Sequence, residues 1–314
     1  MRTYRLYGLN IESELELWAP SVEGRGEPDV RMRLGERREV PNLDPPGVLL
    51  GQLSFQGAKG YAVSRSEADY HIRFFGNCDI VINPGLDRAI FHLAPDADER
   101  LASLYATSNV LSVLLVLRGQ HVLHASAVCL DGEIFAFSGP SGSGKSTTAA
   151  ALHRRGASVV TDDALRYTLT DDEVECALGC TELRLRENAV AAASADQTEL
   201  VESVDQRLGV RAPWWEPSSY SLSAVICPEF TEEGPLALAP LQGRGALIAL
   251  IASNRISCWN DANLMQQQFS ATASLARRVP VYRLNGSFDR LLTSAGQIEL
   301  ETCLLTLSDR KPTR

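Results

Sequence analysis

Hydrophobic and polar positions change their rhythm several times along this chain. Up to Pro95 the apolar residues come in short runs, "TYRLYGLNIES", "YHIRFFG", "DIVINPG" and "RAIFHLAP", separated by glycine, proline and asparagine. That is the punctuation of strands joined by tight turns, and it predicts a β-rich N-terminal domain over residues 1–95. Between the first two runs, "GRGEPDVRMRLGERREVPNLDPPG" is polar and proline-bearing, with a slight basic excess. It predicts loop with pieces of strand. Its arginine-bearing stretch, Arg25 to Arg38, is read either as a solvated connection or as a surface that docks a peptide.

The rhythm lengthens at "LASLYATSNVLSVLLVL", Leu101 to Leu117, an uncharged run with Ser, Thr and Asn in its first half. It is shorter than the roughly 20 residues a membrane span needs, so it predicts a buried helix and no membrane partner. Asp96, Asp98 and Glu99 suit its positive end, and Arg118 with Gly119 closes it.

Residues 96–314 then predict a second, α/β domain. "HVLHASAVCL" alternates, with Leu123, Ala125 and Ala127 on one face and His124 and Ser126 on the other. "GEIFAFSG" is a buried strand, "KSTTAAALHRR" a helix stopped by Gly156, and "SVVTDD" the next strand. "RYTLTDDEVECAL" predicts a hairpin turning at Thr170 to Glu173, and "RLGVRAPWWEPSSY" a loop. "LSAVICPEF" and "VPVYRLNG" read as strands, and "ANLMQQQFSATASLARR" as a helix.

Composition narrows the function. The formal net charge of -9 leaves no global basic field for a nucleic acid backbone. Seven cysteines, with only Cys176 and Cys180 close together, form neither a disulfide framework nor a metal array. "MRTYRLYGLNIESE" is charged and lacks the apolar core of a signal peptide, so a cytoplasmic chain is expected.

The chemistry concentrates in "FSGPSGSGKSTTAAALHRRGASVVTDDAL", Phe137 to Leu165. Gly139, Gly144, Lys145 and Ser146 satisfy G-x-x-x-x-G-K-[ST] between a strand and a helix, the context that a phosphate loop requires. In such a loop the backbone amides of Gly139, Ser141, Gly142, Ser143, Gly144, Lys145, Ser146 and Thr147 curl around a polyphosphate at a helix N-terminus. Lys145 reaches the outer phosphates, and the Ser146 hydroxyl ligates magnesium. Asp162 and Asp163 end the following strand, which places them on the same sheet edge as the loop. One acid there serves magnesium and the other accepts the proton of an attacking hydroxyl; a turn or cap pair is the structural alternative. His124 is read either as a satisfied structural residue or as a group facing the phosphates.

The run from His124 to Leu165 resembles the catalytic domain of HPr kinase/phosphorylase. It carries "LHASAV", "DGEIFAFSGPSGSGKST" and "RRGASVVTDDAL" in that family's order and spacing. The opening "YRLYGLNIES" and the chain length also resemble the HPr-kinase-related proteins associated with lasso-peptide biosynthesis. The resemblance implies a phosphoenolpyruvate-carboxykinase-like fold, ATP and Mg2+ as cofactors, and transfer to a serine hydroxyl of a peptide or small protein, with homo-oligomerisation left open. It makes Asp162 the general base, Lys145 and Ser146 the phosphate and magnesium residues, Asp163 a support for metal, and His124 a contact to phosphate or acceptor. "TELRLREN" would then supply Glu182 as a second metal ligand, although Leu185 stands where the family has glycine. Thr147 departs similarly, where the family commonly has glutamate. Reverse, phosphate-removing activity is not carried over.

Two alternatives use the same residues. One is a kinase acting on a small-molecule hydroxyl; the other is a regulatory ATPase that transfers nothing. Trp214 to Pro217, "WWEP", is weighed as an acceptor shelter or adenine platform against a loop anchor. Arg244 and Arg184 are secondary candidates for neutralising transferred charge.

Overall fold

The computed structural model describes residues 1–23, 26–55, 58–192, 199–202, 207–213, 215, 220–256 and 258–308. The fold is mixed α/β with several sheets. The chain divides into two compact units, Met1–Gln120 with Ile256–Gln268, and His121–Arg255 with Phe269–Arg314.

The first unit is built on an eight-stranded sheet. In spatial order its strands are Arg2–Leu6, Leu9–Ser13, Val30–Leu34, Arg88–Leu93, Cys78–Ile82, Tyr70–Phe74, Ala58–Arg65 and Val48–Phe55. "YRLYGLNIES" forms its first hairpin, turning through Tyr7 and Gly8, both at positive φ (54° and 72°). That twist suits a two-residue hairpin turn. Val30–Leu34 runs parallel to both of its neighbours. The arginines of this basic segment are engaged within the unit. Arg33 pairs with Glu12 at 3.0 Å, Arg37 donates to the carbonyls of Ala94, Pro95 and Ala97, and Arg38 meets Asp79 at 3.4 Å. Arg25 lies outside the described residues.

The expected boundary at residues 95/96 differs from the observed one at Gln120/His121. The reason is the apolar helical run Arg100–Leu117, which belongs to the first unit. Tyr105 stacks on Phe74 with ring centroids 3.7 Å apart, and Arg118 donates to the carbonyls of Leu86 and Asp29. The run is long and apolar enough to cross a membrane, yet 67% of it is buried within the fold. Its polar residues are satisfied locally: Thr107, Ser108 and Ser112 each donate to the carbonyl four residues back, across the π-helical segment Ala106–Val110.

The second unit carries the predicted strand–loop–helix–strand. Its six-stranded sheet runs Ser158–Thr161, Ala125–Leu130, Glu133–Ser138, Leu222–Pro228, Val281–Asn285 and Ala237–Leu241. Ser158–Thr161 and Glu133–Ser138 are each antiparallel to the strand between them, so they run parallel to one another. Their C-terminal ends therefore share one edge, which brings the acid pair to the glycine-rich loop. The helix Lys145–Arg154 buries Ala149, Ala150, Ala151 and Leu152 in one cluster with Val128, Phe135 and Phe137. Alanines on that face allow close approach of helix to sheet, and Gly156, at φ 105°, ends the element.

Two expectations change here. "HVLHASAVCL" is not one strand but two, His121–Leu123 and Ala125–Leu130, in different sheets with the break at His124. Its face pattern survives the break, since Leu123, Ala125 and Ala127 share one core cluster. "RLGVRAPWWEPSSY" contains the strand Leu208–Arg211, paired with Glu182–Leu185. The intervening glycine and the two arginines hide it from a hydrophobicity pattern.

Candidate active site

The glycine-rich loop at residues 139–146 turns through glycines that the geometry demands. Gly144, at φ 94°, caps the helix, and a Cβ placed there would lie 2.7 Å from Phe230 Cε2. Phe230 cannot swing away freely, because it packs edge-on against Phe288 at 5.4 Å. Gly144→Ala therefore costs strain as well as a clash, about 1–3 kcal/mol for the left-handed backbone alone. Differential scanning calorimetry is expected to register it as a lowered Tm. An unchanged Tm would mean that the loop relaxes without penalty.

Lys145 is 6% exposed, and its Nζ donates to the carbonyls of Gly139 and Pro140, both at 2.9 Å. Burial lowers its pKa to about 8, against the opposing pull of Asp163 and Asp162. Within the loop, Ser143 N donates to Pro140 O, and Thr148 Oγ1 donates to Gly144 O. Ser141 and Gly142 lie exposed at its rim, Gly139 and Thr147 are buried, and Ser143 is half-buried.

Asp162 is the hub. Its Oδ1 accepts from Ser146 Oγ at 2.8 Å and from Ser126 Oγ at 2.5 Å, and its Oδ2 accepts the Arg184 N–H at 2.9 Å. Those bonds fill three of a carboxylate's roughly four acceptor positions. Burial, then the charge of Asp163, raises its pKa, and the three hydrogen bonds oppose the rise. A carboxylate tuned upward while still hydrogen-bonded suits proton acceptance better than an ordinary one.

Asp163 is held differently. It adopts φ 69°, its Oδ2 takes Arg255 Nη2 at 2.7 Å, and its Oδ1 lies 3.3 Å from His124 Nδ1. Burial raises its pKa, but Arg255, His124, Arg184 and Arg207 together outweigh that and hold it at about 2. Among the described contacts it is a counter-ion, and Ser146 meets Asp162 rather than Asp163.

His124 Nδ1 lies 2.9 Å from the Asp163 carbonyl oxygen, which can only accept, so Nδ1 carries the proton and Nε2 is the acceptor. Burial lowers its pKa to about 4, leaving the ring neutral near pH 7. Its backbone N–H is fixed on Ser253 O at 2.7 Å, two residues before Arg255.

Glu182 is buried at the start of its strand and pairs with Arg211 Nε at 3.2 Å, its partner in the strand register. Its side chain is thereby engaged with Arg211, whereas two residues on the backbone of Arg184 reaches Asp162. Trp215 donates its indole N–H to Val159 O at 2.9 Å, the loop-anchor role; Trp214, Glu216 and Pro217 lie outside the described residues. Arg244 is exposed at the start of the helix Arg244–Ile251, and the arginine whose side chain pairs with Asp163 is Arg255. Nothing in the local sequence "SNRIS" marks Arg255. Ser126 was visible only as the polar neighbour of His124 on its strand face.

Ser146 Oγ, oriented by its hydrogen bond to Asp162, is a hard oxygen donor. It suits Mg2+, which takes one or two protein oxygens and completes its shell with phosphate oxygens and water. Among the described residues no group of three His, Cys, Asp or Glu gathers to form an all-protein cage.

No protein-family model and no curated protein matches the chain. Among solved structures it is similar to the Hpr(Ser) kinase/phosphatase from Coxiella burnetii, at 10% identity, covering 60% of this chain and 97% of that one, with a TM-score of 0.29. A likeness of that size carries no argument about activity; the side-chain geometry does.

Proposed function

We propose that this chain is a magnesium- and ATP-dependent phosphotransferase whose acceptor is a hydroxyl group. The observation that carries the reading is the junction of loop and acid: Ser146, the magnesium residue of the loop, donates to a buried Asp162 of raised pKa. A loop that served only as a flexible connection would have no reason to tie its hydroxyl to a buried carboxylate.

Lys145 and the loop amides would hold the polyphosphate, and Ser146 Oγ would hold Mg2+. Bound magnesium supplies charge neutralisation across the phosphates. Asp162 accepts the proton of the attacking hydroxyl. Asp163, fixed between Arg255 and His124, sets the position of both. Catalysis of this kind is mostly positioning and electrostatics.

For the acceptor we infer a serine on a peptide or small protein. What supports this is the resemblance of His124–Leu165 to the HPr kinases, and of "YRLYGLNIES" to the relatives associated with lasso peptides. A precursor-like peptide ending in serine is the first substrate to try, because a chain end enters a recessed site with little rearrangement. In-line attack needs the hydroxyl within roughly 3–3.5 Å of the γ-phosphorus. The chain is incubated with ATP, Mg2+ and, separately, the serine peptide, its alanine counterpart, and HPr, and each product is weighed by mass spectrometry. Phosphate is expected on the serine peptide alone. Phosphate on HPr at an equal or greater rate overturns the acceptor assignment.

A further inference from the structure

The short strand Glu182–Leu185 spans from the acid to the loop. At Arg184 its backbone N–H is fixed on Asp162 Oδ2, 2.9 Å away. Two residues later comes Arg186, whose carbonyl accepts the Ala189 N–H at 2.8 Å as the chain turns into the 3-10 helix Glu187–Ala192. The backbone on both sides of Arg186 is thus held. From there its side chain reaches the phosphate loop: Nη2 lies 3.7 Å from the point that a Cβ on Gly142 would occupy. Gly142 is exposed at the loop rim with φ 86°, and Arg186 is exposed beside it.

The other site arginines have partners. Arg255 is paired with Asp163, and Arg211 with Glu182. Among the described residues Arg186 has no ion pair. A guanidinium with no carboxylate partner among the described residues, lying beside the rim of a loop whose amides would face a polyphosphate, is placed to meet charge that develops on the phosphate oxygens.

We propose that Arg186 is a catalytic arginine supplied in cis, which contacts the oxygens of the transferring phosphoryl group. This rests on the phosphotransferase reading above. In the step, the bond between the γ-phosphorus and the β–γ bridging oxygen breaks, and its electron pair stays on ADP. The acceptor oxygen forms the new bond to phosphorus, and its proton passes to Asp162. Arg186 neutralises the negative charge gathering on the bridging and γ oxygens. Lys145, bonded to the loop carbonyls on the buried side, does not cover the exposed rim.

The test needs no knowledge of the acceptor. Titration calorimetry measures the affinity of the full chain for Mg-ADP alone and for Mg-ADP with aluminium fluoride, which mimics the phosphoryl group in flight. Arg186→Ala is expected to weaken the aluminium fluoride complex by about 100-fold or more while changing Mg-ADP affinity by about 3-fold or less, since arginines of this kind act mainly on the transition state. Arg186→Lys, which keeps the charge but loses the planar fork, is expected to fall between the two. Equal losses for both ligands, or no loss for the analogue, overturn the role of Arg186 and leave the phosphotransferase reading standing. A native chain that binds neither ligand overturns both. Because the side chain is exposed, Tm is expected to hold in both variants, which separates the effect from misfolding.

Discussion

Lys145→Ala is expected to lower phosphoryl transfer by about 1,000-fold or more, because catalysis of this class is chiefly charge neutralisation by fixed groups. The structure gives the loss two sources. The ammonium group supplies the charge on the buried side of the loop, and its bonds to the Gly139 and Pro140 carbonyls brace the loop itself. Both vanish in the alanine variant. Mg-ATP affinity, measured by titration calorimetry, is expected to fall as well. Near-normal transfer would remove the phosphate-loop assignment. The native chain carries a pH signature of the same residue. Burial depresses the Lys145 pKa to about 8, so its charge is present below that pH and is lost above it. Nucleotide affinity is therefore expected to decline as pH rises through 8, and a flat profile up to pH 10 would contradict the role.

The second large effect is expected at Asp162. In Asp162→Asn the shape is kept, but the group no longer accepts a proton, and turnover is expected to fall about 100-fold or more. The amide also creates a conflict. Asp162 accepts on both oxygens, from two serine hydroxyls on one and from the Arg184 N–H on the other. An NH2 on the second side would face another donor. Turned the other way, it would meet Ser126 and Ser146, whose hydroxyls can rotate to accept. Mg-ATP affinity is expected to change by about 10-fold at most, since Lys145, Ser146 and the loop amides remain. Single-turnover kinetics and calorimetry together check the split. Affinity collapsing while transfer persists would exchange the base and metal roles.

Much of this site is legible in the sequence because its parts are local. Glycine spacing, a following lysine and serine, and an alanine-rich helix fall within one strand–loop–helix unit, and the parallel strand after it must bring Asp162 and Asp163 to the same edge. What the sequence hides is long-range. Arg255 reaches Asp163 from 92 positions away, and Ser126 reaches Asp162 from 36, with no periodicity to announce either. The division of partners between the acids is hidden for the same reason. Two adjacent aspartates at a strand end look equivalent until φ 69° at Asp163 turns its side chain to Arg255 and leaves Asp162 with Ser146. Arg186 is similar, because only the fold carries the end of its strand to Gly142. The break of "HVLHASAVCL" at His124 has a physical cause that alternation cannot encode. The His124 N–H pairs with Ser253 outside the six-stranded sheet, and the chain changes sheets there.

The central claim is transfer from ATP to a hydroxyl, as opposed to hydrolysis. Phosphorus NMR of the full chain with Mg-ATP and a serine-bearing peptide reads it directly. The γ-phosphate signal of ATP is expected to be replaced by a phosphoserine ester signal in step with ADP, and Asp162→Asn is expected to suppress the exchange. Inorganic phosphate appearing alone, at the same rate with and without every hydroxyl acceptor tried, would contradict it and leave a nucleotide-hydrolysing module in its place.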